Sequence, residues 1–135
     1  MSRIVGQLRE SVRKRANRRC EYCLMPEGYL PHHHQADHII AQKHDGTDDL
    51  ENLAWACFSC NVRKGSDISG YDPDTLTLTP LFNPRTQSWE QHFVIDDDSI
   101  IGLTEIGRVT AKLLQMNQPD QVSLRRALRE ANLWS

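Results

Sequence analysis

The stretch Cys20-Glu21-Tyr22-Cys23, answered after 33 intervening residues by Cys57-Phe58-Ser59-Cys60, decides the fold. Thiolates two residues apart turn onto one ion, so two such pairs read as a single tetrahedral zinc site. Cys20, Cys23, Cys57 and Cys60 fill all four positions. A zinc ion so enclosed is structural: it ties the N-terminal segment to a distant turn. Between the pairs lie Asp37-His38-Ile39-Ile40 and Asn52-Leu53, and after them Asn61-Val62-Arg63-Lys64-Gly65. An imidazole can take a proton from water near neutral pH, and carboxylate and carboxamide oxygens suit a hard cation. The first set reads as a scaffold and the second as a metal-dependent active site.

The chain of 135 residues is expected to form one domain: a basic N-terminal helix over 1–19, the metal core over 20–66 and a C-terminal extension over 67–135. That length can bury a core of its own, so zinc need not be its only support. Charged residues at 25% and hydrophobic ones at 39% suit a soluble globular protein. No apolar run approaches the roughly 18 residues of a membrane span. The N-terminus lacks the apolar segment of a signal peptide. A cytoplasmic location with reduced, metal-bound cysteines is therefore expected, in preference to two disulfides in a secreted protein.

Net charge is −2, but it is uneven. Residues 1–19 hold Arg3, Arg9, Arg13, Lys14, Arg15, Arg18 and Arg19 against Glu10 alone, while residues 37–51 carry Asp37, Asp45, Asp48, Asp49 and Glu51. Cations for phosphates beside carboxylates for a metal are what a metal-dependent nuclease needs. The same arginines also suit the solvated face of a helix.

Ile4, Val5, Leu8 and Val12 predict a helix over 3–17, with Ser2 as cap and with Arg9 and Arg13 off the apolar stripe, placed to touch a phosphate backbone. A strand is expected over 33–40, a polar loop over 42–51, a second strand at 53–56 and a short helix over 58–64 closed by Gly65. His32, His33 and His34 alternate faces in an extended chain and cannot easily share one ion. His34 is the most notable of the three, since it shares a face with His38. Lys64 lies one turn beyond Asn61; it and Arg63 either contact phosphate or complement the helix C-terminus. His44 lies near the active loop. Residues 66–84 read as irregular apart from a short strand over 75–79. A hairpin is expected across Asp96-Asp97-Asp98, a turn rather than a calcium loop. Helices are expected over 104–116, capped by Thr104 with Ile106, Val109, Leu113 and Leu114 inward, and over 123–133, the two separated by Pro119. Trp55 and Trp89 read as core, and Arg85 and Arg108 as phosphate contacts or structural residues.

The string Cys20-x-x-Cys23, Asp37-His38-Ile39-Ile40, Asn52-Leu53, Cys57-x-x-Cys60-Asn61-x-x-Lys64-Gly65 resembles the HNH endonuclease family in its zinc-stapled ββα-metal form. The resemblance covers about residues 20–65. A second stretch, from Leu81-Phe82-Asn83-Pro84-Arg85 through Trp89, His92-Phe93 and Gly102-Leu103-Thr104 to Gly107-Arg108, is similar to the C-terminal extension of small stand-alone members. The implied fold is α+β: a ββα-metal core stapled by the four-cysteine zinc site, with flanking helices and a small β-hairpin. The implied activity is phosphodiester hydrolysis in DNA, by nicking or double-strand cleavage, with one divalent metal, Mg2+ or Mn2+, held by Asp37 and Asn61. By matching position His38 is the general base, and Asn52 bonds across the loop and orients it. The sequence departs from the pattern at Ala41, where proline is frequent, at Asp45-Gly46, where two glycines are usual, and at Asn61, where histidine is the common choice. The competing readings are a non-catalytic zinc module that binds nucleic acid or protein, and a subunit of a nuclease complex. Zinc serves all three, and the set Asp37, His38, Asn52 and Asn61 favours the enzyme.

Overall fold

The computed structural model of the protein describes residues 4–134. Ser2 and Arg3, named above as helix cap and as part of the basic segment, lie outside the described residues. The chain divides into two compact units, one of Met1–Ile68 with Asn83–Thr86, the other of Ser69–Phe82 with Gln87–Ser135.

In the first unit, helix α1 runs Gly6–Arg15, shorter at both ends than the apolar stripe predicts. Its N-cap position is Val5, 63% exposed, so this residue leaves the stripe. At the other end Asn17 takes a left-handed conformation, φ 54°. The amides of Asn17 and Arg18 bond back to the carbonyls of Lys14 and Arg13, closing the helix in a Schellman turn. Strand β1, Gln35–His38, pairs antiparallel with β2, Leu53–Ala56, setting Asp37 opposite Ala54 and His38 opposite Leu53. Helix α2, Phe58–Lys64, follows at once and is closed by Gly65. The expected ββα order is present. All four residues of β2 are buried; Leu53 and Trp55 join Ile4 and Val12 in a core against which Leu8, Ala16 and Ala36 pack.

The loop from β1 to β2 contains two short 3-10 turns, Gln42–His44 and Leu50–Asn52. Gly46 is required there because a Cβ would overlap the carbonyl of Ile40. One glycine suffices for that approach; the left-handed position beside it, φ 66°, is taken by Asp45, which tolerates it.

In the second unit, β3 (Ser69–Tyr71) pairs with β4 (Leu78–Pro80). The strand expected at 75–79 thus starts later. Its partner escaped the sequence reading because Ser69-Gly70-Tyr71 has no apolar alternation. After the short helix α3, Trp89–His92, the predicted hairpin is β5 (Phe93–Asp96) with β6 (Ser99–Gly102). Asp97 and Asp98 are both left-handed, φ 50° and 64°, the pair that a two-residue turn between right-twisted strands demands. Trp89 is half-buried and stacked on Phe93.

Helix α4, Glu105–Leu113, is capped by Thr104, whose Oγ1 accepts from the Gly107 amide at 3.1 Å. Val109 and Leu114 are buried, whereas Ile106 and Leu113 are only half-buried. A Cβ on Gly107 would overlap the carbonyl of His92, which accounts for this glycine in the second sequence motif. Helix α5 runs Pro119–Glu130. Pro119 therefore starts the last helix instead of standing before it, because a first-turn residue has no amide to lose. No helix among the described residues is long and apolar enough to cross a membrane.

Candidate metal centre and active site

The Cys20–Cys23 knuckle is a tight hairpin: the Cys20 amide donates to the Met25 carbonyl at 2.9 Å, and Leu24 turns left-handed, φ 65°, to bond back to Cys20. Cys57 caps α2, its sulfur accepting from the Cys60 amide at 3.4 Å, as Cys20 accepts from Cys23 at 3.4 Å. All four cysteines are buried and free, and their sulfurs lie within 4.8 Å of one another. Zn–S bonds of about 2.3 Å in a tetrahedron put sulfurs about 3.8 Å apart; Cys23 and Cys57 stand at 3.6 Å. The group is positioned to hold a metal ion, and four thiolates suit zinc. The thiols of Cys23 and Cys60 are pushed well above their ordinary value and that of Cys57 well below it, in each case first by bonding to Cys20. A bound dication removes that conflict by taking four thiolates.

Two residues beyond the knuckle's first cysteine, Tyr22 is buried and donates its hydroxyl to Asp37 Oδ2 at 3.0 Å. From α2, Lys64 Nζ reaches the same oxygen at 3.1 Å and the His38 carbonyl at 2.9 Å. Asp37 and Lys64 are 4% and 2% exposed. Burial pushes the Asp37 carboxyl up, and the Lys64 ammonium and the Tyr22 hydroxyl oppose that rise. Burial and the nearby Asp37 carboxylate raise the Tyr22 phenol well above its ordinary value. Both bonds fall on Oδ2; Oδ1 has no hydrogen bond among the described residues and is not one of their sealed, unpartnered atoms.

His38, next along β1, faces the other way. Its Nε2 lies 2.7 Å from Asp48 Oδ1, and Nδ1 has no partner among the described residues. The opposite facing of strand neighbours thus gives the carboxylate to the interior and the imidazole to the loop. Asn52 spans that loop: its Oδ1 accepts from the Ile40 amide at 2.9 Å, and its Nδ2 donates to the carbonyls of Ile40 at 2.9 Å and Thr47 at 2.8 Å. Asn61 lies one turn before Lys64 on α2, and its side chain is free of hydrogen bonds among the described residues.

Residues 20–67 match the family model described as HNH endonuclease. The chain carries an HNH domain. No curated protein and no solved structure matches the chain. The HNH match places the domain with nucleases, which makes nucleic acid the class of substrate it implies.

The candidate phosphate contacts are placed differently from one another. Arg63 is exposed, with Nε 3.2 Å from Ser59 Oγ. Lys64 is inside, bound to Asp37. Arg9 donates to the His34 carbonyl at 3.0 Å and lies over the Trp55 ring at 4.8 Å. Arg13 is bonded to Glu27 at 2.9 Å and to Glu10 at 2.7 Å. The face of α1 read as phosphate-binding is thus tied to the HNH domain's own knuckle and strand. Arg85 is paired with Glu21, and Arg108 grips Asp72 with two bonds of 2.9 Å. His34 is buried, its Nε2 2.8 Å from the Met25 carbonyl; His32 stacks on Phe58, and His44 is exposed. Two site residues were missed as individuals. Tyr22 sits between the first cysteines, and Asp48 was counted only as part of an acidic loop.

Proposed function

We propose that this chain is a metal-dependent endonuclease that hydrolyses DNA phosphodiester bonds, with His38 as general base. The observation that carries the reading is the divided strand end: a carboxylate turned inward to α2 and, beside it, an imidazole with one ring nitrogen unpartnered. The residues present fit a hard divalent cation. Oδ1 of Asp37 remains for it while Tyr22 and Lys64 fix the carboxylate through Oδ2, and Asn61 offers a carboxamide on the facing helix. Mg2+ or Mn2+ held by Asp37 and Asn61 would supply charge stabilisation for the phosphate and the leaving oxygen. His38 takes the proton of the attacking water. Asn52 holds the loop that adjoins His38, and exposed Arg63 is the cation of α2 available to phosphate. Four reduced thiols around zinc fit a reducing, cytoplasmic setting.

The test is cleavage of supercoiled plasmid by zinc-loaded protein with Mg2+ or Mn2+, with excess chelator as control and with His38→Ala alongside, checked for retained zinc and fold. Metal-dependent nicking or linearisation that disappears in the variant supports the reading. No cleavage of any DNA form by folded, zinc-loaded protein overturns it in favour of a non-catalytic zinc module or a subunit dependent on a partner.

A further inference from the structure

We propose that Asp48 is the positioning residue of His38. It holds the imidazole as the Nε2–H tautomer and so makes Nδ1 the atom that accepts the proton. The proposal rests on the nuclease reading above and adds to it an atom assignment and a residue that the family match does not name.

An ionised carboxylate can only accept. With Asp48 Oδ1 at 2.7 Å, Nε2 of a neutral His38 must therefore carry the hydrogen. The lone pair then lies on Nδ1, the nitrogen without a partner among the described residues. Asp48 is itself placed by the loop. Asn52 Nδ2 holds the carbonyl of Thr47, the preceding residue, at 2.8 Å, and the same amide group holds the Ile40 carbonyl at 2.9 Å. Thr47 Oγ1 bonds the Asp49 carboxylate at 3.1 Å and accepts from the Asp49 amide at 3.3 Å, fixing the residues on either side of Asp48. The Gly46 backbone approaches the Ile40 carbonyl closely, its amide donating to Ala41 at 3.0 Å. Asn52 thus acts on the histidine through Thr47 and Asp48.

In the reaction, Nδ1 takes one proton from water while the water oxygen forms a bond to phosphorus. One P–O ester bond breaks, and its electron pair leaves with the oxygen, which is protonated from solvent. The imidazolium now carries hydrogen on both nitrogens, with Nε2–H still on Asp48, whose negative charge stabilises the ring as it becomes positive. The ring later returns the Nδ1 proton to solvent. No electrons are exchanged.

The experiment compares wild type, Asp48→Ala and Asp48→Asn as zinc-loaded full chains. Fold is checked on the amide signals of β1 and β2. Ring 15N spectra of His38, recorded with the imidazole neutral, read the tautomer without any need for turnover. Plasmid cleavage at varied DNA and metal concentrations reads kcat and KM. Expected are Nε2–H in wild type, a mixed or Nδ1–H population in Asp48→Ala, and a kcat lower by about 10- to 100-fold with KM unchanged. An unchanged tautomer in Asp48→Ala overturns the proposal. So does a loss of rate reversed by more Mn2+, which would make Asp48 a metal ligand instead. If wild type cleaves no DNA, the nuclease reading fails, and the 15N comparison still decides whether Asp48 sets the tautomer.

Discussion

Replacing Lys64 by methionine tests the interior of the site most directly. Lys64 is 2% exposed and its ammonium sits 3.1 Å from a carboxylate that is 4% exposed. Methionine keeps much of the volume and removes the charge, leaving Asp37 with Tyr22 as its remaining hydrogen-bond donor. Losing one partner of a buried pair costs about 3–5 kcal/mol, because the other charge stays buried without compensation. An exposed pair would cost only about 0–1 kcal/mol. With urea slopes of about 1–3 kcal/mol per molar, the midpoint for the N-terminal unit should fall by at least about 1 M. The assay is urea unfolding of zinc-loaded protein, read on the amide signals of β1 and β2.

The pH dependence has a definite sign. Burial raises the Asp37 carboxyl above 3.8, so the folded state binds its proton more readily than the unfolded chain does. Stability from this group therefore falls as pH rises above that value, and removing Lys64 extends the window upward. The double variant Lys64→Met with Asp37→Asn should recover most of the loss. A Lys64→Met cost below about 1 kcal/mol, unchanged between pH 5 and pH 8, would refute the reasoning.

Removing zinc should unfold the N-terminal unit. Structural zinc contributes about 10–16 kcal/mol in small finger peptides, as much as the whole stability of a typical domain. A strong chelator should collapse the amide dispersion of β1 and β2, and zinc should restore it; native signals in metal-free protein would contradict this. In the C-terminal unit, Arg129 and then Arg126 hold the Asp98 carboxyl down to about 2, against 3.8 ordinarily. Its contribution to stability is complete above about pH 4 and disappears as pH falls through 2. Thermal unfolding of that unit should show this acid loss, Asp98→Asn should flatten it, and a carboxyl 13C midpoint near 4 for Asp98 would count against it.

Local rules explain what was legible. The Cys20-x-x-Cys23 and Cys57-x-x-Cys60 spacings are geometric statements about adjacent turns, and they hold in the fold. The Asp97-Asp98 turn and the Thr104 cap are equally local. Errors gathered where neighbours in space decide. Strand β3 has no pattern of its own and exists because β4 pairs with it. The start of α5 at Pro119 was misplaced because proline was read as a separator and not as a first helical residue.

By itself the sequence determined the two Cys-x-x-Cys pairs, the ββα order and the presence of a carboxylate and an imidazole side by side, because each depends on residues close in the chain. The tertiary structure alone decided what those charges face. Arg13 meets Glu27, Arg9 covers Trp55, Lys64 crosses from α2 to Asp37, and Asp48 returns over the loop to His38. The separation along the chain does not determine these partners. An ion pair is set by distance in space and by the loss of water around it, and both are fixed only once β1, β2 and α2 have closed around one core.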